Sequence, residues 1–350
     1  MNLKKSLIIG VVGCLLGLTA WELYWRSQGF TADLDDDDNL WAIHRARVEE
    51  ATEDDVILIG SSRVYFDLQL DEWEQETGKR PIQLAIEGTS PLYAFDDLVN
   101  NSDFKGTIVV GVTESLFFST VFPEAPPNEK INKRIKYYKD RTYADRLNNS
   151  LSIPIQNSFA FVSDVSGVDG IKLKSLLDEI KIGERVPDPM PPFHVFSSVD
   201  ESRNLRMTER TATDTAFAGT IKKVWMFFRN AGGDFEPEKE ATTEFFVENV
   251  KKFRDRGGKV VLIRCPSTGD VRGFEKKVFP RKEYWDQLVE KSDVPAYHFE
   301  DYQKLKDYDC PEWSHLSAED ADNFTEAFVD LLFRDGHISK SDRIDQLTNN

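Results

Sequence analysis

Short apolar runs alternate with helical segments along much of the chain, and this alternation constrains the fold more than any other feature. The runs end at small or polar residues, as buried parallel strands do. We expect an α/β fold in which helices cover both faces of a central parallel sheet, with the functional site at the carboxyl ends of its strands. The expected strands are residues 56–60, 81–86, 107–112, 259–263 and the shorter 296–299. The expected helices are residues 68–77, 92–100, 243–256, 283–291 and 317–333.

Residues 116–240 interrupt the alternation and are too long to be a single loop. Amphipathic stretches at 131–147, 170–182 and 216–228, with a proline-rich turn region at 187–192, indicate a mostly helical insertion after the third strand. We expect this insertion to lie near the site, as a lid or a partner-binding surface. Its segment 130–146 has seven basic and two acidic residues. This segment is either a solvated helix face or a contact for an anionic substrate or lipid headgroups.

The N-terminus is typical of a membrane anchor. Lys4 and Lys5 precede residues 6–25, whose single charge is Glu22, and twenty residues at helical rise can cross a bilayer core. Trp21, Tyr24 and Trp25 follow as an aromatic belt. We expect an uncleaved signal anchor that crosses the cytoplasmic membrane once, with the rest of the chain on the periplasmic or extracellular side. The alternatives are cleavage after Ala20, although Leu18 is large for the −3 position, and lipidation at Cys14, although the apolar run continues past it.

An acidic segment at residues 27–38 separates the anchor (1–26) from the expected domain, and it is typical of a linker. Its aspartates Asp35–Asp38 could bind calcium, but we favour an N-cap and first-turn charges for a helix that begins near Leu40. The α/β domain with its insertion then covers residues 39–335, and residues 336–350 form a polar tail.

Composition excludes several classes of protein. Lys and Arg total 44 and Asp and Glu total 61, and this net charge of −17 argues against binding to nucleic acid. Three cysteines are too few for a disulfide scaffold, although Cys265 and Cys310 could pair in an oxidising compartment. None of the five histidines has a partner at metal-ligand spacing, so we expect neither a metal nor a cofactor.

A serine and a histidine far apart in the sequence carry the main functional hypothesis. Ser62 follows the first expected strand in Gly60-Ser61-Ser62-Arg63, and His315 lies just before the last expected helix. Loops from distant parts of the chain converge at the carboxyl edge of a parallel sheet, so the two side chains can meet there. Glu312 stands three residues before His315, from where a carboxylate can bind Nδ1 and direct Nε2 towards the serine.

With these residues in this order, the chain resembles the SGNH/GDSL hydrolase superfamily. The family has Gly-Asp-Ser after the first strand, where this chain has Gly-Ser-Ser, a form familiar among exported, membrane-anchored members. The family's glycine after the second strand is matched by Gly88. Its Gly-x-Asn-Asp block has Thr113 in place of asparagine, and its Asp-x-x-His-Leu block has Glu312 in place of aspartate. The match covers about residues 56–115 and 240–335.

The resemblance implies a flavodoxin-like three-layer sandwich and an acyl-transfer site. By this resemblance Ser62 is the nucleophile, His315 the general base and acid, and Glu312 the residue that orients His315. The backbone N–H groups of Ser62 and Gly88 form the oxyanion hole, with Thr113 as a third donor. A hydroxyl reaches less far than an amide, and loss of one oxyanion donor costs roughly 10²–10³ in rate. The threonine therefore leaves open a slow enzyme, a specialised transferase or a degenerate member.

Three other residues at the same edge are candidates with alternatives. Arg63 and Arg264 could each bind an anionic substrate group or simply pair with a nearby carboxylate. His298 could form a second acid–base pair with Glu300 or Asp301, but we favour an ordinary histidine at a strand end.

Three functions remain open from the sequence. The first is an extracytoplasmic serine esterase acting through Ser62, His315 and Glu312, with carbohydrate or cell-envelope acyl esters as substrates suggested by compartment alone. The second is an O-acyltransferase of a cell-surface polysaccharide that uses the same residues. The third is a non-catalytic binding or assembly module with an SGNH-like fold.

Overall fold

A computed structural model describes residues 3–28, 31–162, 191–231 and 236–339 of the chain. The strands are β1 (Val56–Ile59), β2 (Ile82–Gln83), β3 (Thr107–Gly111), β4 (Ser197–Val199), β5 (Leu205–Met207), β6 (Lys259–Arg264) and β7 (Ala296–His298). The helices are α1 (Leu3–Ser27), α2 (Asp38–Arg47), α3 (Ser62–Asp67), α4 (Leu70–Thr77), α5 (Leu92–Asn100), α6 (Glu114–Phe117), α7 (Pro126–Asp140), α8 (Tyr143–Gln156), α9 (Glu209–Thr213), α10 (Thr215–Ala231), α11 (Lys239–Asp255), α12 (Gly269–Val278), α13 (Trp285–Ser292), α14 (Gln303–Lys306) and α15 (Ala318–Arg334).

The central sheet has five parallel strands in the order β2-β1-β3-β6-β7, which confirms the expected α/β class. Successive strand residues point to opposite faces of the sheet. Leu58 and Val109 pack with Phe66 and Phe328 on one side, whereas the neighbouring Ile57 packs on the other side, among residues of α5, α11 and α13. Helices therefore cover both faces, and this is why β1 and the middle of β3 and β6 are apolar on both sides.

Two glycines let helix α3 approach the sheet closely. A Cβ atom on Gly60 would lie 2.7 Å from Cγ2 of Val64, and a Cβ atom on Gly111 would lie 2.0 Å from the same methyl group. Neither position has room for a side chain, because Val64 of α3 fills the space above the ends of β1 and β3. This packing fixes the position of the first turn of α3, which carries Ser62.

No residue of helix α1 is buried, and among the described helices it is the one long and apolar enough to cross a membrane. A transmembrane anchor and a signal sequence both satisfy that test. The aromatic residues near its end contact one another, with the rings of Trp21 and Trp25 5.5 Å apart.

Residues 31–37, which we call the strap, belong to the predicted linker and pack against the domain. Leu34 is buried, and Asp36 forms ion pairs with the buried Arg203 and Arg134. The neighbouring Asp37 caps α2 by accepting a hydrogen bond from the backbone N–H of Leu40, as the capping hypothesis requires.

The insertion is mostly helical in its described part and also contains the antiparallel pair β4–β5. The expected helix at residues 131–147 is two helices, because Thr142 and Asp145 form a capping box that starts α8 immediately after α7 ends. The predicted stretch 170–182, most of the turn region 187–192 and most of the tail 336–350 lie outside the described residues.

Candidate active site

Ser62, His315 and Glu312 form one continuous chain of hydrogen bonds. Oγ of Ser62 lies 2.8 Å from Nε2 of His315, and Nδ1 of His315 lies 2.8 Å from Oε1 of Glu312. Because a carboxylate can only accept, Nδ1 carries the proton and Nε2 is left to accept from the serine hydroxyl. Ser62 is partly exposed, whereas His315 and Glu312 are buried. This arrangement can take the proton from an attacking serine hydroxyl.

The loop before α15 holds the histidine and its carboxylate in place. Trp313 has a φ of 81°, a left-handed conformation that is strained for a bulky residue. Its ring packs on Gly269, where a Cβ atom would lie 2.3 Å from the indole. Across this turn, Oε1 of Glu312 also accepts a hydrogen bond from the backbone N–H of His315 at 2.6 Å. The Ser317 hydroxyl then caps α15 by accepting from the backbone N–H of Asp320.

Glu312 has a further partner that the sequence did not identify. Nε1 of Trp225, in the insertion helix α10, donates to Oε2 of Glu312. With the two donors from His315, both oxygens of this fully buried carboxylate are occupied. The one available sequence signal was an aromatic residue on the amphipathic stretch 216–228.

Aromatic side chains from α3 and from the insertion surround the histidine, so the insertion lies near this edge of the sheet, as expected. The ring of Phe66 stacks on His315 at 4.3 Å, and the rings of Phe196 and Trp225 lie 5.9 and 6.0 Å from it. Phe193 and Phe228 extend this group outward, and both are exposed. We call Phe193, Phe196, Trp225 and Phe228 the aromatic wall.

The predicted oxyanion donors lie at the ends of the first three strands. Within the described residues, neither the Ser62 amide nor the Gly88 amide donates to a protein acceptor, and Gly88 is exposed with a φ of 70°. Thr113 is buried, and its Oγ1 lies 2.6 Å from Oγ of Ser61. These two hydroxyls share one hydrogen bond, which leaves one of their two protons free to bind another acceptor.

Asp67 is a buried carboxyl group close to this site that the sequence did not single out. Its Oδ1 accepts from the backbone N–H of Leu316 at 3.0 Å, but Oδ2 has no partner among the described residues. Burial raises the pKa of Asp67 to about 7, against the opposing influence of nearby His315 and Arg63.

Arg63 and Arg264 belong to one buried cluster of charges. Arg63 pairs with Glu275 at 2.5 Å, and Arg264 pairs with Glu114 at 2.9 Å and with Glu275 at 2.5 Å. Burial opposes ionisation of Glu275, but the two arginines outweigh it and hold its pKa at about 2. This cluster is the carboxylate pairing that the sequence left open as the alternative to substrate binding.

The remaining candidates lie apart from this chemistry. Cys265 and Cys310 are buried free thiols, and burial raises the pKa of both well above the usual range. His298 accepts from the N–H of Glu300 at 3.2 Å, and burial together with the Arg264 charge lowers its pKa to about 2. Glu300 and Asp301 pair with Arg272 and Arg281 instead. In the described part of the chain, no group of three or more His, Cys, Asp or Glu residues could hold a metal ion.

Comparison of the chain with models of known protein families and with curated protein sequences finds no match.

Proposed function

We propose that this protein is a membrane-anchored serine acyl hydrolase of the SGNH type that cleaves an ester through Ser62, His315 and Glu312. The observation that carries the proposal is the pair of 2.8 Å contacts that link the serine hydroxyl, the imidazole and the carboxylate. Ser62 Oγ attacks the ester carbonyl while His315 takes its proton, and His315 then returns the proton to the leaving alcohol. Water, activated by the same histidine, releases the acid from the acyl-enzyme.

The fold supports this proposal. Counted along the chain, the strands of the central sheet run in the order 2-1-3-4-5, which is the flavodoxin-like order of doubly wound sheets. The proposed oxyanion donors at Ser62 and Gly88 follow the first two of these strands, at the edge where such folds bind ligands.

The surroundings of Ser62 support an ester with an apolar or sugar part. The aromatic wall stands beside His315 and presents exposed rings at Phe193 and Phe228, on which either a hydrocarbon or the flat face of a sugar can pack. Helix α1 would hold the enzyme at a membrane, where cell-envelope acyl esters are the substrates within reach.

Labelling of the full-length chain in mild detergent with a fluorophosphonate probe tests the proposal. We expect stoichiometric labelling of the wild-type protein, none of Ser62→Ala, and a strong reduction for His315→Ala. Ser314→Ala is the matched control, because it removes a hydroxyl beside His315 and leaves the chain of hydrogen bonds intact. Labelling that persists in Ser62→Ala, or that is absent from a folded wild-type protein, would refute the assignment.

A further inference from the structure

Helix α8 carries its apolar residues on the outside of the molecule. Four apolar residues recur every four positions and share one side of the helix. They are Tyr143, Leu147, Leu151 and Ile155, and their side chains are 79, 48, 60 and 47% exposed, respectively. The buried residue of this helix is the polar Asn149. A helix on the surface of a soluble domain has the reverse polarity. We call these four outward-facing residues the apolar stripe.

The apolar stripe leads directly to the apolar N-terminal helix. Beyond the end of α8, the exposed Phe159 continues it, and the next two residues contact α1. The carboxylate of Glu22 accepts from the backbone N–H groups of Ala160 at 3.0 Å and Phe161 at 3.2 Å. Glu22 lies between the aromatic residues of α1, and such residues mark the level of a membrane surface.

We propose that the apolar stripe of α8 rests in the surface of the lipid bilayer that α1 spans, with its side chains at the boundary of headgroups and acyl chains. The proposal rests on the membrane anchor of the proposed function, but not on the chemistry of Ser62. The contacts at Glu22 fix the end of the stripe at membrane level, which favours lipid over a soluble partner.

A depth measurement on the full-length chain in vesicles of phosphatidylcholine and phosphatidylglycerol tests this placement. In a Cys14→Ala background, Leu151→Cys receives the environment-sensitive fluorophore NBD, while the native Cys265 and Cys310 are buried. Arg146→Cys is the matched control, because it lies on the same helix about 140° around from position 151. We expect lipids that carry a shallow nitroxide to quench the probe at position 151 about threefold more strongly than the probe at position 146.

Flotation of the vesicles first tests the anchor, so the two proposals can fail separately. If the protein does not float with the lipid, the membrane anchor and the placement of α8 are both wrong. If it floats but aqueous iodide quenches both positions equally, the apolar stripe faces water and the placement is refuted. If position 151 is shielded without nitroxide quenching, and the shielding grows with the protein-to-lipid ratio, a second copy covers the stripe and the lipid proposal is equally refuted.

Discussion

Two buried carboxyl groups close to His315 have opposite environments. Glu312 accepts three N–H donors across its two oxygens, so both oxygens have hydrogen-bond partners. Asp67 accepts a single backbone N–H from Leu316 and leaves Oδ2 without a partner among the described residues. Both carboxyl groups are buried to the same degree, so the number of hydrogen bonds that each accepts is the difference between their environments.

Asp67 gives the stability of the protein a pH dependence with a defined sign. Its pKa is about 7 in the folded state and 3.8 in an exposed reference, so between these values the folded state keeps a proton that the unfolded state releases. Stability then falls as pH rises from about 4 to 7, by at most about 4 kcal/mol for this group. Asp67→Asn mimics the protonated acid and removes this fall.

Urea unfolding in mild detergent at pH 4.5 and pH 7.5 measures this effect. We expect Asp67→Asn to gain stability relative to wild type at the higher pH and to change little at the lower pH. Asp322→Asn is the control, since that carboxylate is half-buried and pairs with Arg206 at 2.5 Å. Equal pH dependence in wild type and Asp67→Asn would show that Asp67 is ionised in the folded protein.

At the scale of elements, the buried strands could be predicted from sequence and the interior of the insertion could not. Strands covered on both faces are mostly apolar, so β1, β3 and β6 stand out from their surroundings. The edge strands β2 and β7 have two and three residues and include Gln83 and His298, so their signal is weaker. The break between α7 and α8 could not be predicted from periodicity, because the amphipathic pattern continues through Arg141. The capping box at Thr142 and Asp145 nevertheless begins a new helix there. The hairpin β4–β5 has three-residue strands, too short for a periodic signal.

The candidate site divides in the same way. Ser62 and His315 could be placed together because parallel strands bring distant loops to one edge, and Glu312 could be added because it stands three positions before the histidine. The partnership of Trp225 with Glu312 joins positions 87 apart through the packing of the insertion. No local pattern encodes such a contact, so the sequence could suggest an aromatic face on α10 but not its target.

Trp225 provides a test of how helix α10 supports the site. Trp225→Phe keeps the aromatic packing on His315 but leaves Oε2 of Glu312 unpaired, which costs about 1–3 kcal/mol of stability. The contact between Glu312 and Nδ1 of His315 remains, so we expect the rate of fluorophosphonate labelling to fall by no more than about tenfold. Phe228→Leu, at the exposed end of the aromatic wall, is the control and should leave stability nearly unchanged. Trp225→Phe with wild-type stability would contradict a supporting role for this hydrogen bond.

At the scale of the whole molecule, Arg203 joins three parts that are distant in sequence. It lies between β4 and β5 in the insertion and binds Asp36 of the strap through two nitrogens, at 2.7 and 2.8 Å. It also donates to the carbonyl of Gln83 in the edge strand β2 and to that of Ala85 two residues further on. Its guanidinium lies over the ring of Tyr65, 4.7 Å from the centroid. The strap, the sheet and the insertion are thus held by one buried cation.

Arg203→Met tests this connection, because it keeps the length of the side chain and removes the charge. Burial alone would raise the pKa of Asp36, but Arg203 and Arg134 hold it well below the usual range. The ion pair of Asp36 with Arg203 therefore stabilises the fold above about pH 4, and this contribution is lost at lower pH. We expect Arg203→Met to lose about 3–5 kcal/mol at pH 7, since it leaves a mostly buried carboxylate short of its main partner. The difference from wild type should shrink as the pH falls below about 4, where Asp36 in the variant becomes protonated.

Arg206 lies in the same hairpin as Arg203 and forms a half-exposed ion pair with Asp322 of α15, so Arg206→Met is the control and should cost at most about 1 kcal/mol. Equal losses for the two variants in urea unfolding would mean that the hairpin, and not the buried cation, holds the three parts together.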